Sequence, residues 1–414
     1  MRFFSWQNIL ISLAVASLII AGGFFALSVS EHVIAPTAAV SIDIKNNESV
    51  YVPPQKLNNP PEIVKAIYVT GYSAGSSKYL DYLTELFKNT EINSVVVDIK
   101  GSGGEVSYKS GAADVKKYDL YNGAIRDIDA LINFFHDQNI YVIGRISVFE
   151  DPLYSSARPE ISVYNKTNTT DLSKPVLWRD RNKLSWLDPA SKEGWSYTVS
   201  LAKDALYHGF DEINFDYIRF PSDGDMDALG FPVWNGTTPK ATIIRQFFDY
   251  MRQELAGEKL SADLFGQTTV NKDDMGIGQL LENAFETFDY ISPMVYPSHY
   301  IDGFIGFENP AEHPYEITKY SMDSAFARKT AYTEFLLAAS NAGKIVEDKP
   351  KTLEKPLAKF RPWLQDFDMG AEYTANMIKD EIKATQDSLG AEYSGYMLWN
   401  PRNIYTEEAV LKVK

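Results

Sequence analysis

Three aspartates lie near the ends of segments that have the pattern of buried strands. Asp216 belongs to the segment 209–221, in which apolar and polar residues alternate; Asp98 and Asp263 end similar segments. A polar face inside a buried strand is costly unless it is used or paired. Two carboxyl groups that flank one bond can cleave it, one as an acid and the other as a nucleophile or base. We predict Asp216 as nucleophile or base and Asp263 as acid, with Asp98 or Glu150 as alternatives for the second role.

Two arginines accompany these carboxyl groups. Strand parity places Arg145 on the same inward face as Asp98 and Asp263, and Arg219 follows Asp216 by three positions. We predict that Arg219 neutralises Asp216 and that both arginines contact substrate. Two alternatives stay open at this point. Asp98 and Asp263 could be structural partners of Lys100 or Arg145, and Arg219 could form an ion pair within its own loop.

Aromatic and amide side chains at other strand ends are candidates for substrate contacts. Tyr296, Gln365 and Trp399 occupy polar or inward positions, where aromatic faces and an amide could contact a substrate. Trp178 lies in a long aromatic insertion, residues 150–187, which we predict to wall a cleft. The alternatives are ordinary barrel-top packing for the aromatic residues and a simple covering lid for the insertion.

Strand-like and helix-like segments alternate along most of the chain. Eight strands are predicted, at 66–72, 94–100, 140–148, 209–221, 259–265, 290–296, 360–367 and 395–399. Helices are predicted between them, including one capped by Asp188 with Pro189 at its first position, one over 278–288 and one near 314–342. This order favours a (β/α)8 TIM barrel over a doubly wound sheet, since no phosphate-binding glycine fingerprint follows the first strand.

Composition limits the classes of partner. The 414 residues include 45% hydrophobic and 13% aromatic residues, which argues against wholesale disorder. A formal net charge of −15 argues against nucleic acid as a partner. The chain has no cysteine and its five histidines lack metal-binding spacing, so we predict no metal and no cofactor. Calcium among the loop residues Asp223, Asp225 and Asp227 is conceivable, although such loops are usually only solvated.

Residues 1–63 differ in sequence pattern from the rest of the chain. Ile9 to Val29 is an uncharged run of 21 residues, preceded by Arg2 and followed by Glu31. We therefore predict a membrane anchor in residues 1–30, with the N-terminus inside and the rest extracytoplasmic. If the segment is cleaved, near Ala26-Leu27-Ser28, the protein is secreted. Residues 31–63 are predicted to be a Pro/Asn-rich linker, and residues 64–414 the barrel.

The motifs of the barrel resemble those of one family in the same order. They are Asp188-Pro189, 212–221, Ser261-Ala-Asp-Leu-Phe-Gly266, Ser292-Pro-Met-Val-Tyr-Pro297, Arg361-Pro-Trp-Leu-Gln365 and Gly395-Tyr-Met-Leu-Trp399. From about Val64 to Tyr405 the chain resembles a bacterial glycoside hydrolase family once described as a domain of unknown function. There is also a distant similarity to chitinase-like barrels. Those enzymes carry an acid Glu where this chain has Ile218, so their substrate-assisted mechanism is not implied here.

The resemblance implies hydrolysis of an extracytoplasmic or cell-envelope polysaccharide by paired carboxylates at the barrel mouth. The main alternative is a carbohydrate-binding barrel at the cell surface that has no turnover. A hydrolase of other bonds, such as a deacetylase, is disfavoured because no His/Asp metal cluster is evident.

Overall fold

The fold is built on eight parallel strands. The computed structural model describes residues 41–42, 49–341, 353 and 355–412. The barrel strands are β1 (Val64–Val69), β2 (Ser94–Lys100), β3 (Tyr141–Ser147), β4 (Glu212–Asp216), β5 (Leu260–Phe265), β6 (Tyr290–Met294), β7 (Lys359–Phe360 and Trp363–Gln365) and β8 (Gly395–Trp399). Each strand pairs with the next, and β8 pairs with β1, so the sheet closes on itself. The predicted (β/α)8 barrel is confirmed.

Helices cover the outside of the barrel. Their bounds are α1 (Gly71–Ala74), α2 (Ser77–Asn89), α3 (Ala113–Tyr118), α4 (Ile128–His136), α5 (Pro152–Ala157), α6 (Lys192–Tyr207), α7 (Lys240–Glu254), α8 (Pro314–Asn341) and α9 (Ala375–Leu389). The larger core lies between strands and helices, and a second cluster that includes Tyr68, Ile143 and Trp363 fills the barrel interior. Both faces of the strands are therefore buried, as expected for a parallel barrel.

The fourth strand is shorter than the sequence pattern indicated. We expected it to continue to Pro221, but it ends at Asp216 because Tyr217 adopts a left-handed conformation with φ of 52°. A bulky residue with positive φ is uncommon and interrupts the ladder. Tyr217 consequently leaves the apolar face on which the alternation had placed it. The chain turns at the point where Asp216 emerges at the barrel mouth.

Two predicted helices differ from those observed. Helix α6 begins at Lys192 with Ser191 as its N-cap, whose Oγ accepts a hydrogen bond from Gly194 N at 3.3 Å. Asp188 accepts instead from the backbone amides of Ala190, Val233 and Trp234. The helix predicted over 278–288 is reduced to a 3-10 turn at Leu281–Ala284. In this protein the Asp188-Pro189 pair lies in a turn, although the same pair is also compatible with a helix start.

The predicted linker contacts the barrel along part of its length. Ser41–Ile42 and Ser49–Val50 form a short antiparallel pair. Tyr51 donates a hydrogen bond to Asp129 at 2.6 Å, and Leu57 N donates to Asp211 at 2.7 Å. Residues 51–57 are thus attached to the domain and do not hold it at a distance.

The predicted membrane span, Ile9 to Val29, lies outside the described residues. No helix within the described ranges is sufficiently long and apolar to cross a bilayer.

Candidate active site

Arg145 joins three carboxyl groups at the C-terminal mouth of the barrel. Its Nη1 donates to Asp98 at 2.6 Å and its Nη2 to Asp216 at 2.5 Å. Its Nε is 3.2 Å from the same oxygen of Asp216 and 3.9 Å from Oδ2 of Asp263. Strand register explains this arrangement, because Arg145 on β3 aligns with Asp98 on β2 and with Asn214 on β4. All four charged groups are almost completely buried.

The cationic partner of Asp216 is therefore Arg145, and the prediction that Arg219 neutralises this carboxylate is wrong. The left-handed turn at Tyr217 sends Arg219 elsewhere, where its Nη1 donates to Phe220 O at 3.2 Å and Ser222 Oγ at 3.0 Å. The other oxygen of Asp216 accepts from Tyr217 N at 2.6 Å. A cation and a backbone donor thus both bind the oxygens of Asp216.

Asp263 has the opposite environment. Its Oδ1 accepts two hydrogen bonds, from Asn214 Nδ2 and from Trp363 Nε1, both at 2.8 Å. Its buried Oδ2 has no hydrogen-bond partner among the described residues. Burial raises the pKa of Asp263 well above its usual value, and the charge of Asp216 raises it further, against the attraction of Arg145. A proton on Asp263 therefore belongs on Oδ2, since Oδ1 is already an acceptor twice.

The two carboxyl groups lie close enough to act on one bond. Asp216 Oδ2 and Asp263 Oδ2 flank a single atom, Arg145 Nε, at 3.2 and 3.9 Å. The distance between these two carboxyl oxygens is therefore at most the sum of their distances to Arg145 Nε. Glycosidase carboxyl pairs are about 5–5.5 Å apart in retaining enzymes and about 6.5–9.5 Å apart in inverting ones. This upper bound is compatible with either spacing, and a carboxylate beside a carboxylic acid would supply both roles.

A cleft opens above this pair. Its volume is about 1070 Å³, counting all space between the walls and at the open mouth. Arg145, Asp216 and Asp263 line its floor. Aromatic and polar groups make up the rest of the wall, and they are Tyr217, Phe265, Tyr296, Tyr300, Trp363, Trp399, Arg219, Ser222, Asp223, Gln267, Gln279 and His299, with Gly266 and Met294. An aromatic wall with a few polar groups is suited to a sugar.

Four of the six predicted substrate contacts line the cleft: the two arginines and the aromatic residues Tyr296 and Trp399. Trp399 stacks on Tyr68 with ring centroids 3.9 Å apart and packs edge-on against Trp363 at 5.6 Å. Tyr296 packs edge-on against His299 at 5.1 Å. These contacts hold both predicted aromatic plates rigidly at the mouth, and Trp399 also lies 5.4 Å from the Arg145 guanidinium.

Four of the residues considered from sequence lie away from the cleft wall. Gln365 is fully buried, with its amide bonded to Ser298 and to Phe367 O. Trp178 donates to Asp225 O at 2.8 Å inside the insertion. Asp98 is bound by Arg145 and, at 2.5 Å, by the Tyr68 hydroxyl, which fits the structural alternative. Glu150 is buried beneath the mouth, and its burial raises its pKa well above the usual value, against the attraction of Arg219.

Sequence reasoning missed three residues of the site. Asn214 and Trp363 hold Asp263, and both lie two residues from a predicted site residue, on the same inward face of a strand. The alternation of side chains along each strand could therefore have identified both residues. His299 also lines the cleft, and burial lowers its pKa to about 4. It is a neutral hydrogen-bonding group at pH 7.

The described residues contain no group of three or more His, Cys, Asp or Glu side chains arranged to hold a metal ion. Asp223, Asp225 and Asp227 do not form such a group within this part of the chain.

The chain is similar to several solved structures. A solved hypothetical protein from Ruminiclostridium thermocellum is 38% identical with a TM-score of 0.43, over 51% of this chain and 98% of that one. An α-galactosidase from Thermus thermophilus is 12% identical with a TM-score of 0.46, over 86% of this chain and 61% of that one. α-L-Fucosidase isoenzyme 2 from Paenibacillus thiaminolyticus is 12% identical with a TM-score of 0.45, over 84% of this chain and 47% of that one.

None of the curated proteins matches this sequence. A family model described as "Putative glycosyl hydrolase domain" matches residues 66–405, which is most of the chain and nearly all of the barrel. The resemblance seen in the sequence motifs is thereby confirmed, and the chain belongs to this family of glycosyl hydrolase domains.

Proposed function

We propose that the protein is a glycoside hydrolase in which Asp216 and Asp263 cleave a glycosidic bond at the barrel mouth. The observation that carries the proposal is the contrast between the two carboxyl groups. Asp216 is compensated by Arg145, whereas Asp263 is buried with Oδ2 unpartnered and its pKa raised. Glycosidic cleavage needs this combination of a carboxylate and a carboxylic acid.

Each group has a defined task in the reaction. Asp263 donates the proton on Oδ2 to the glycosidic oxygen, so that the leaving sugar departs as an alcohol while the bond to the anomeric carbon breaks. Asp216 either attacks the anomeric carbon or removes a proton from the attacking water. Arg145 pairs with Asp216, and Asn214 with Trp363 hold Oδ1 of Asp263, which leaves Oδ2 to carry the proton. Trp399 and Tyr296 supply the faces against which the sugar rings pack.

The test uses the full-length protein, the Asp216→Asn and Asp263→Asn variants, and a panel of bacterial and plant polysaccharides. We expect the parent to release reducing ends and Asp216→Asn to lose at least about a thousand-fold in rate, as removal of a nucleophile or base does. Asp263→Asn should lose activity on natural glycans but keep much of it on aryl glycosides, whose leaving group needs little protonation. Tight glycan binding without turnover in the parent would instead establish the carbohydrate-binding alternative.

We also propose that the protein acts outside the cytoplasm, held at the membrane by residues 1–30, on a polysaccharide of the envelope or surroundings. The support is the uncharged run of 21 residues with Arg2 before it and Glu31 after it. Alkaline carbonate extraction of membranes from expressing cells should leave the protein in the membrane pellet. External protease should digest the barrel in spheroplasts. Release into the medium would show cleavage and secretion.

A further inference from the structure

We infer that the cleft binds a sugar carrying a carboxylate, and that Arg219 is the residue that recognises it. This inference rests on the proposed function, because it names the substrate class of the same cleft. It is drawn from the way in which Arg219 is held and from the hydrogen bonds that it does not make.

Arg219 is a buried cation whose donors are only partly used. It is 8% exposed and lines the cleft. Its Nη1 is bonded to Phe220 O and Ser222 Oγ, both neutral acceptors. Its buried Nε has no hydrogen-bond partner, and Nη2 donates no hydrogen bond to any described residue. A buried donor without a partner is costly, and such a group at a cleft points to a ligand.

The unused donors lie on one edge of the guanidinium. Nε and Nη2 are the two nitrogens that pair side-on with both oxygens of a carboxylate. Trp186 and Phe265 fix the plane of the group, with ring centroids 4.6 and 4.7 Å from its central carbon. The edge is therefore preorganised, and a carboxylate that docks on it needs little reordering of the protein.

The position of this edge matches a substituent of a sugar beside the bond to be cleaved. Phe265 is two residues beyond Asp263 on the same face of β5, which places it roughly 6–7 Å nearer the mouth. Arg219 packs on Phe265, so it stands one level above the reacting carboxyl groups. A sugar ring that spans this distance would present its acidic group to Arg219 and its anomeric carbon to Asp216.

Two carboxyl groups of the protein itself face Arg219. Glu150 and Asp223 both interact with its charge, but neither approaches within ion-pair distance, and burial raises the pKa of each. Asp223 is also tied to the backbone of Arg181. Neither group pairs with Nε or Nη2 of the guanidinium. Both carboxyl groups interact with the charge of Arg219 at a distance without forming a hydrogen bond to it.

The net charge of −15 does not prevent the binding of an acidic sugar. Fields of exposed charges fade over about 8 Å at 0.15 M ionic strength. A desolvated guanidinium in direct contact with the ligand is screened far less, so the local charge decides the selectivity. Long acidic polymers should nevertheless bind more tightly as salt is raised from very low concentration, because salt screens the repulsion by the distant surface.

The test measures the binding of three monosaccharides, which cannot be hydrolysed, to the full-length protein. The probes are glucuronic acid, glucose and glucose 6-sulfate, titrated while protein-induced line broadening of the sugar signals is followed. We expect glucuronic acid to bind roughly ten-fold or more tighter than glucose. Arg219→Lys keeps the charge but loses the fork, and it should remove most of that preference. Arg245→Lys, the same change on helix α7 where the arginine pairs with Asp249 outside the cleft, should retain it.

Several results would overturn the inference. These are equal affinity for glucose and glucuronic acid in the parent, a preference that survives in a folded Arg219→Lys variant, or tighter binding of the sulfate than of the carboxylate. The parent comparison holds even if the variant does not fold. Failure here is separable from failure of the proposed function: cleavage of neutral glycans alone would sink only this inference. An Arg219-dependent preference without any hydrolysis would sink only the proposed reaction.

Discussion

The two residues proposed to react, Asp216 and Asp263, are distinguished by what their oxygens touch. Asp216 and Asp263 are the same amino acid on neighbouring strands, and the sequence offers no difference between them beyond their surroundings. Arg145 and a backbone amide act on one, while burial and an unpartnered oxygen act on the other. Environment therefore assigns the roles of base and acid, as in other carboxyl pairs.

Trp363 donates a hydrogen bond to Asp263, the proposed acid, so replacing Trp363 should change the pH dependence of the rate. A general acid works only while protonated, so activity should be present below the raised pKa of Asp263 and be lost as the pH rises through it. The hydrogen bond from Trp363 lowers that pKa. In Trp363→Phe the alkaline limb of the pH–rate profile should consequently move to higher pH. The rate should fall about 10- to 100-fold because the carboxyl group loses its orientation.

The matched control is Trp195→Phe. This buried indole donates to Pro189 O at 2.8 Å on helix α6, away from the cleft. It should leave the alkaline limb in place. An unshifted limb in Trp363→Phe would mean that Asp263 is not the acid that the profile reports.

At the scale of elements, the two ends of the barrel strands have separate tasks. The mouth carries Asp216 and Asp263, whereas the start of β4 carries Glu212, which is fully buried and paired with Arg361, between the two segments of β7. Arg361 also lies over the Tyr290 ring at 4.1 Å. Charges at this lower end belong to the stability of the barrel and are distant from the chemistry.

We expect Glu212→Ala to lower the free energy of unfolding by about 3–5 kcal/mol, because it leaves the Arg361 cation buried without its partner. Urea unfolding of the folded variant measures this loss. At a temperature where the variant remains folded, its rate of glycan cleavage should stay close to that of the parent.

An exposed pair provides the control. Lys319 and Asp323 are bonded at 2.8 Å one turn apart on helix α8, both partly exposed. Asp323→Ala should cost no more than about 0.5 kcal/mol. A similar loss in both variants would show that the buried pair has no special weight in the barrel.

At the scale of the whole molecule, the segment before the first strand belongs to the folded domain. Leu57 N is bonded to Asp211, which also bonds Val142 N and His136, so the segment is connected to β3 and α4. Tyr51 reaches Asp129, which also pairs with His208. These contacts tie the lower end of several elements together.

A fragment that starts at Ser49 should therefore be more stable than one that starts at Val64. Losing the Leu57 and Tyr51 contacts leaves Asp211 with one donor fewer and exposes apolar surface, and we expect a Tm lower by several degrees in the shorter fragment. Differential scanning calorimetry of the two fragments gives the comparison. Equal Tm values for the two fragments would indicate that the segment is a simple linker.

Much of the fold follows from the sequence because strand and helix periods are local. Eight apolar segments separated by helices predict the barrel, and alternation places Asp98, Arg145 and Asp263 on inward faces without any knowledge of contacts. The same local information gives errors where a single backbone angle changes direction. The residue types around Tyr217 do not predict a left-handed turn. The sequence around Asp188 is equally compatible with a helix cap and with a loop.

The tertiary structure decided the partners of the reacting groups. Arg145 rather than Arg219 holds Asp216, since strand register brings β3 beside β4 while the turn at Tyr217 carries Arg219 upward. Trp363 reaches Asp263 across the closed barrel, although 100 positions separate them in the chain. The sequence determined the layers of the barrel and the carboxyl groups at its mouth. Which of those groups is ionised, which is protonated and which cation remains open to a ligand depends on burial and on distances between strands, and these exist only once the barrel has closed.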